Sequence, residues 1–203
     1  MSADVLPALA AGLVAAVVVL LELVTGQYRG TAFLLRKSGW LWAYVLTYGA
    51  IAIGVMLSLQ ALLEAGHLKI EGLGLSDPMI RAFAVGVTIR ALLNIRLFNV
   101  TVGSQQVPVG VASLLQLFEP WLLFQIELDE FNGVRSYLEP FVARYPDLVD
   151  VKKRIKGNLP PSLPDAERSA LELDVDTKQE VGAAMELYLR RFGERTFKRV
   201  FPL

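Results

Sequence analysis

The stretch VLPALAAGLVAAVVVLLELVT, residues 5–25, is almost uninterrupted Val, Leu, Ala and Gly, and Glu22 is its only charged residue. A helix of this length, rising about 1.5 Å per residue, spans the roughly 30 Å hydrocarbon layer of a bilayer. A second run, residues 41–63, is also long enough and carries no charge. Trp40 and Trp42 stand at its start, where amphipathic rings favour the headgroup level. These two runs predict two transmembrane helices.

A cleaved secretory signal is the alternative for the first run. Such a signal needs basic residues ahead of its apolar core, yet Met1-Ser2-Ala3-Asp4 carries no base and one acid. The run is also longer than a signal core usually is. We therefore expect the first run to be retained as a membrane span.

A third apolar segment follows Ser76-Asp77-Pro78, in which capping oxygens precede proline at the first helical position. Six residues interrupt its apolar character: Arg81, Thr88, Arg90, Asn94, Arg96 and Asn99. A central arginine costs about 2.5–3.5 kcal/mol on insertion scales, which a helix bundle tolerates. We expect a third transmembrane helix over residues 79–100, with a buried or surface helix as the alternative.

Loop charges predict the orientation. The loop after the first run carries Arg29, Arg36 and Lys37 and no acid, which indicates the cytoplasmic side and places the N-terminus outside. A third span would return the chain to the cytoplasm. We expect a membrane location, in a bacterial inner membrane, with the C-terminus in the cytoplasm.

The following apolar run is interrupted by two prolines and by Gln116, Glu119 and Gln125. We interpret residues 103–128 as an amphipathic or interfacial connector. A short β-hairpin around a polar turn, near residues 97–111, is the alternative for its first part.

Charge is divided unevenly along the chain. Residues 1–128 hold seven acidic and seven basic side chains, whereas residues 129–203 hold thirteen of each. The contrast predicts an all-α membrane protein with about three transmembrane helices in residues 1–102, the connector, and a small cytoplasmic helical domain from residue 129 onward.

The pattern within the charged part is helical, because apolar residues recur at three- and four-residue steps. Three prolines predict a linker over residues 158–165. A final helix starts at Asp176 or Thr177, runs to Phe192 and stops at Gly193.

Charges inside an apolar helix are expensive and usually face protein or water. Glu22 lies near the inner end of the first span and Arg96 near the inner end of the third, so a pair between them would hold the bundle together. The functional alternative is that Arg90 and Asn94, one turn apart, line an aqueous path or an anion site.

Two basic clusters occupy the charged part. They are Lys152, Lys153, Arg154 and Lys156, and then Arg195, Lys198 and Arg199. Solvated helix ends explain both; contact with anionic headgroups, at about 1 kcal/mol per base, or with a protein partner is the functional alternative. Nucleic acid is the weakest expectation, because no recognition motif surrounds either cluster and the formal net charge is zero.

Small residues recur at four-residue steps in the apolar segments, as at Ala8, Gly12 and Ala16. Such faces let helix backbones approach closely within one chain or between subunits. We expect a homo-oligomer or a membrane complex in the bilayer.

Catalytic chemistry is not indicated. The chain has no cysteine and one histidine, His67, so neither a thiolate metal site nor a catalytic triad can be assembled. We expect no catalytic residue, no metal and no cofactor, and therefore not an enzyme.

These patterns favour an oligomeric membrane effector that alters permeability, as an ion channel does, under control of its cytoplasmic domain. The first alternative is a membrane-anchored adaptor or complex subunit, which binds a cytoplasmic protein and transports nothing. The second is a membrane-embedded enzyme acting on lipid, which would depend on Glu22, Arg90 and Glu119.

Overall fold

The computed structural model describes residues 5–66, 77–93, 98–102, 105–109 and 111–203, with side chains described outside residues 92–117. Most of this chain is helical. The elements are α1 Val5–Glu22, a π-helical turn Leu23–Gln27, α2 Ala32–Leu35, α3 Gly39–Glu64, α4 Pro78–Leu93, β1 Phe98–Val102, β2 Gln105–Val109, α5 Val111–Arg144, α6 Leu148–Gly157, α7 Asp165–Thr177 and α8 Val181–Val200.

The contacts divide the chain into two compact units. The helical apolar unit comprises Met1–Leu23 and Gly39–Ile126, and the tail unit comprises Val24–Ser38 and Glu127–Leu203. The loop with the three basic residues therefore belongs to the same unit as the charged C-terminal part.

Two helices of the described residues are long and apolar enough to cross a membrane, Val5–Gln27 and Gly39–Glu64. The expectation of a third such helix was wrong. Helix α4 has 16 residues, which gives it a length of about 24 Å, short of the roughly 30 Å apolar layer. Its arginines Arg81 and Arg90 lower its hydropathy further.

Small residues allow the apolar helices to pack closely. A Cβ added at Gly12 would lie 2.6 Å from Cγ1 of Ile53 and 3.0 Å from the carbonyl oxygen of Gly49. A Cβ at Gly86 would lie 2.8 Å from the carbonyl oxygen of Ala11. The small-residue faces of α1 and α4 are thus used inside one chain, where they bring backbones together as in close membrane-helix pairs.

The described residues between the apolar helices and the tail form two strands and the first part of one long helix. Strands β1 and β2 pair antiparallel, with Phe98 opposite Val109 and Val102 opposite Gln105, where the sequence allowed a hairpin. Helix α5 then continues for 34 residues through the boundary expected near residue 128. Neither Pro120 nor Pro140 ends it.

The tail unit has one apolar core, formed where α5, α6, α7 and α8 present their apolar faces to each other. Its fully buried aromatic residues are Phe141, Tyr188, Phe197 and Phe201. Phe141 and Phe197 meet edge to face, with ring centroids 5.0 Å apart, an arrangement that adds about 0.5–1.5 kcal/mol beyond area burial.

Helix boundaries in the tail differ in part from the sequence expectation. Residues 158–164 separate α6 from α7, in the region assigned to the linker, although Leu159 is buried. The final helix begins at Val181, because α7 occupies the residues up to Thr177. Its first helical segment ends at Gly193, as expected, because that residue has a non-helical backbone (φ 75°, ψ 174°); a second helical segment follows and runs to Val200.

Candidate functional site

The candidate site is a polar cluster within the apolar unit, and each of four helices contributes to it. Helix α1 supplies Glu22 at its last residue, α3 supplies Tyr44 and Tyr48 one turn apart, α4 supplies Arg90, and α5 supplies Glu119. The end of α1 meets the start of α3 because these helices run in opposite directions. Elsewhere the facing surfaces of α1, α3 and α4 are apolar.

Arg90 is the centre of the cluster. Its Nη1 donates a hydrogen bond to Oε1 of Glu22, and its Nη2 donates to the hydroxyl oxygen of Tyr44 at 2.7 Å. Its guanidinium carbon lies 5.3 Å from the ring centroid of Tyr48, within the range of a cation–π contact.

Glu119 closes the network from α5. The hydroxyls of Tyr44 and Tyr48 donate to its Oε1 at 2.6 and 2.8 Å, and Nη2 of Arg90 lies 3.8 Å from the same atom. Tyr44 therefore accepts from the guanidinium and donates to the carboxylate. One cation thus faces two acidic side chains, and the two tyrosine hydroxyls stabilise the charge of Glu119 through hydrogen bonds.

The cluster is not sealed inside the unit. The side chain of Arg90 is 37% exposed and that of Glu22 is 53% exposed. The same helices expose large hydrophobic side chains, among them Leu13, Val17 and Phe83. The site is thus a charged spot on the flank of an otherwise apolar helical body.

An aromatic pair marks the end of α3 nearest the cluster. Trp40 and Trp121 meet edge to face, with centroids 4.9 Å apart. Tyr44 follows Trp40 by one helical turn, about 6 Å along the axis. In a bilayer, indole rings favour the interface, so the cluster would lie one turn inside it.

The sequence named part of this cluster. Glu22 and Arg90 are brought together, whereas Asn94 and Arg96 lie outside the residues whose side chains the structure describes. Sequence reasoning assigned neither tyrosine to the site, and it named Glu119 beside Glu22 and Arg90 only in the alternative of an enzyme acting on lipid. The available signal was the four-residue spacing of Tyr44 and Tyr48 on a charge-free helix, which places two hydroxyls on one face.

A second polar network lies in the tail unit. Glu130 is 3% exposed and accepts hydrogen bonds from Oγ1 of Thr31 at 2.6 Å and from Nη1 of Arg190 at 2.5 Å. Burial lowers the pKa of Arg190, but hydrogen bonds to Glu186 and Glu130 outweigh burial and raise it. A Cβ at Gly30 would lie 2.1 Å from the carbonyl oxygen of Arg190, so only glycine fits there.

The predicted basic residues of the first cluster lie on α6. Lys152 donates to the carbonyl oxygen of Asp176, Lys156 pairs with the Asp176 carboxylate at 2.7 Å, and Arg154 pairs with Asp150 at 2.7 Å. The carboxylate of Asp150 raises the pKa of Arg154. Lys153 is exposed.

The second basic cluster lies at the end of α8. Lys198 pairs with Glu194 at 2.7 Å, and Arg195 and Arg199 are exposed.

A groove also opens in the tail unit between α5 and α8, with a volume of about 650 Å³. Its lining residues are Phe131, Arg135, Ser136, Leu138, Glu139, Val142, Glu180, Gly182, Ala183 and Glu186. Within the described ranges no group of three or more His, Cys, Asp or Glu side chains is placed to hold a metal ion.

The chain matches no protein-family model, no curated protein and no solved structure.

Proposed function

We propose that the protein is an oligomeric integral membrane protein that alters the permeability of a bacterial inner membrane and is controlled through its tail unit. The observation that carries the proposal is the partial exposure of Glu22 and Arg90 on an apolar helical body. A charge at membrane depth faces protein or water rather than lipid. A second copy, or a water-filled path enclosed by several copies, supplies that environment.

The charge balance of the cluster adds support. In one copy, the Arg90 guanidinium is shared between Glu22 and Glu119. Copies that face one another with these clusters would form a ring of acidic and basic groups. Rings of charged side chains are one kind of selectivity element in ion channels.

The orientation proposed is an outside N-terminus and a cytoplasmic tail. Its support is that the basic loop belongs to the tail unit, where Ser38 donates to Asp129 at 2.6 Å and Thr31 donates to Glu130. Loop and tail then share one side of the membrane. Because α1 and α3 together return the chain to the outside, this orientation requires residues 65–126 to cross the membrane once more before the tail.

Ion efflux from liposomes tests permeability. Purified full-length protein is reconstituted at increasing protein-to-lipid ratio, and potassium release and dye release are recorded. We expect leakage that rises more steeply than linearly with protein, because several copies form one path. A protein that assembles in the bilayer, as chemical crosslinking would show, and releases neither ion nor dye would refute the proposal.

Cysteine scanning tests the position of the path, since the chain has no cysteine of its own. Glu22→Cys should react with a charged, water-soluble thiol reagent, and the reaction should change leakage. Leu13→Cys, whose parent side chain is 69% exposed on the same helix, is the matched control and should not react. Equal reactivity at both positions would contradict a path at the cluster.

A membrane-anchored adaptor is the second candidate, favoured by the groove between α5 and α8. An adaptor would bind a cytoplasmic protein and leave liposomes sealed. The binding test needs the full chain in detergent, because a fragment starting at residue 129 would lack Thr31 and Gly30. A chain that leaks alone and binds no partner would exclude the adaptor.

A further inference from the structure

The groove between α5 and α8 has an apolar floor. Phe131 is 52% exposed within it, beside Leu138 and Val142. The groove is open on the α8 side because Gly182 and Ala183 are small there. Volumes of several hundred Å³ suit a row of side chains from another protein segment.

The rim of this groove is acidic. Three carboxylates, those of Glu139, Glu180 and Glu186, face one guanidinium, that of Arg135, which leaves a formal charge of −2. Glu186 already accepts a hydrogen bond from Arg190. Glu139 and Glu180 are exposed and form the accessible part of the rim.

A surface of opposite character lies on α6. Val149 is 74% exposed, the highest value among the large hydrophobic side chains that are described. Lys152 and Lys153 follow three and four residues later and therefore share its face of the helix. With Lys156 and Asp176, these lysines line a shallow depression with a formal charge of +2.

The α6 surface is short enough to fit the groove. Its helical residues run from Val149 to Gly157, about 12 Å along the helix axis. The groove follows α5 from Phe131 to Val142, about 16 Å along the helix axis. An apolar side chain followed by lysines can therefore meet an apolar floor with carboxylates at its rim within the length of the groove.

We propose that the α6 surface of one copy docks in the α5–α8 groove of a second copy. The surfaces share no lining residue, so the contact is heterologous, the type that closes into rings when the rotation between copies allows. The proposal rests on the oligomeric part of the proposed function and assigns that assembly to the tail unit. Burial of Val149 supplies apolar contact, and the lysine–carboxylate pairs set the register.

Crosslinking between two single-cysteine proteins tests this contact in the full chain. Val149→Cys and Ser136→Cys carry different tags, are mixed in detergent or nanodiscs, and are treated with a short bismaleimide. The mixture should give the doubly tagged dimer, and Val149→Cys alone should give little dimer. Equal crosslinking of Val149→Cys with itself would indicate a symmetric contact and overturn the proposal.

Charge reversal tests the pairing. The groove variant Glu139→Lys with Glu180→Lys, made in both tagged proteins, should reduce crosslinking about tenfold through like-charge repulsion. The α6 variant Lys152→Glu with Lys153→Glu, also in both, should do the same. A groove variant carrying Ser136→Cys, mixed with an α6 variant carrying Val149→Cys, should crosslink again, because its docking surfaces are complementary once more. Asp174→Lys and Arg195→Glu, exposed charges outside both surfaces, are the controls.

Two further outcomes would overturn the proposal. The first is unchanged crosslinking after groove reversal. The second is α6 reversal that abolishes binding to phosphatidylserine-containing vesicles and leaves crosslinking intact, which would assign α6 to the membrane surface. Leakage measured on the same variants separates the two proposals. Lost docking beside retained leakage refutes only the tail contact, and retained docking without leakage refutes only the permeability function.

Discussion

The two units differ in which side chains they bury and which they expose. The apolar unit leaves large hydrophobic side chains on its outside, such as Leu13, Leu46 and Phe83, and brings three charged side chains together in the cluster around Arg90. The tail unit buries its aromatic residues wholly or partly, Phe131 excepted, and keeps its charged side chains outside its core, with Glu130 as the buried exception. Charged groups therefore lie in different settings in the two units. In the first they are partly exposed on the side of an apolar helical body, and in the second the buried one lies within a hydrogen-bonded network.

The largest effect is expected in the tail core. Phe197→Ala removes a fully buried ring that contacts Phe141 and Phe201, and truncation of a buried phenylalanine costs about 3–5 kcal/mol. Limited proteolysis of the full chain during heating should cleave residues 127–203 at a lower temperature in this variant than in the unsubstituted protein. Leu203→Ala, at a site 61% exposed, is the control. Similar cleavage in both variants would contradict a separate tail core.

Removal of the central cation should have the next largest effect. Arg90→Met leaves Glu22 and Glu119 without their counter-ion, and we expect the apolar unit to lose about 2 kcal/mol, since partial exposure reduces the cost below that of a fully buried pair. Arg90→Lys should lose less. Adding Glu119→Gln to Arg90→Met should recover part of the loss. Additive losses in the double variant would show that the two residues are not coupled.

Glycine substitutions examine the close packing of the apolar helices. Gly86→Ala places a Cβ 2.7 Å from Cβ of Val14, and overpacking of this kind costs about 1–3 kcal/mol. Gly54→Ala is the matched control, because a Cβ there meets nothing within 4 Å. Thermal unfolding in detergent should give a lower melting temperature for Gly86→Ala than for Gly54→Ala. Equal melting temperatures would mean that α1 and α4 do not pack as described.

The smallest effect appears at high pH, in the tail unit. Burial raises the pKa of Tyr28 and of Tyr137 from 10.0 to about 12, assisted by nearby carboxylates. Below pH 10 both phenols are protonated in the folded and unfolded chain, so they contribute no pH dependence. Between pH 10 and 12 the unfolded state loses protons first, and stability falls as pH rises.

Phenylalanine variants measure this contribution. Neither hydroxyl has a hydrogen-bond partner among the described residues, so Tyr28→Phe and Tyr137→Phe should leave stability at pH 7 nearly unchanged. Each should flatten the loss between pH 10 and 12, as followed by circular dichroism with tyrosinate absorbance. An unchanged alkaline transition in the double variant would exclude these tyrosines as its cause.

The sequence predicted the residues of the candidate site unevenly. Glu22 and Arg90 stood out because charges are rare in apolar helices. Tyr44 and Tyr48 did not, because tyrosines near the end of an apolar run have an ordinary interfacial explanation. Their role depends on α5 bringing Glu119 within hydrogen-bond distance of residues more than seventy positions earlier, and no local pattern encodes that distance.

The helix boundaries were also predicted unevenly from the sequence. Apolar runs predicted α1 and α3 because a long uncharged stretch has few alternatives. The third span failed because its helix ends at Leu93 after 16 residues. The continuous helix α5 was missed because Pro120 and the change in charge near residue 128 suggested a boundary, whereas the helix continues from Val111 to Arg144.

The sequence by itself determined the two long apolar helices and the highly charged C-terminal part, because hydropathy and period are local properties of the chain. Only the tertiary structure decided that Arg90 pairs with Glu22, that the loop of residues 24–38 belongs with the tail, and that α5 and α8 leave an acidic groove. These features arise from contacts between residues far apart in the chain. Such contacts depend on how helices pack, which side-chain shape and backbone approach determine together.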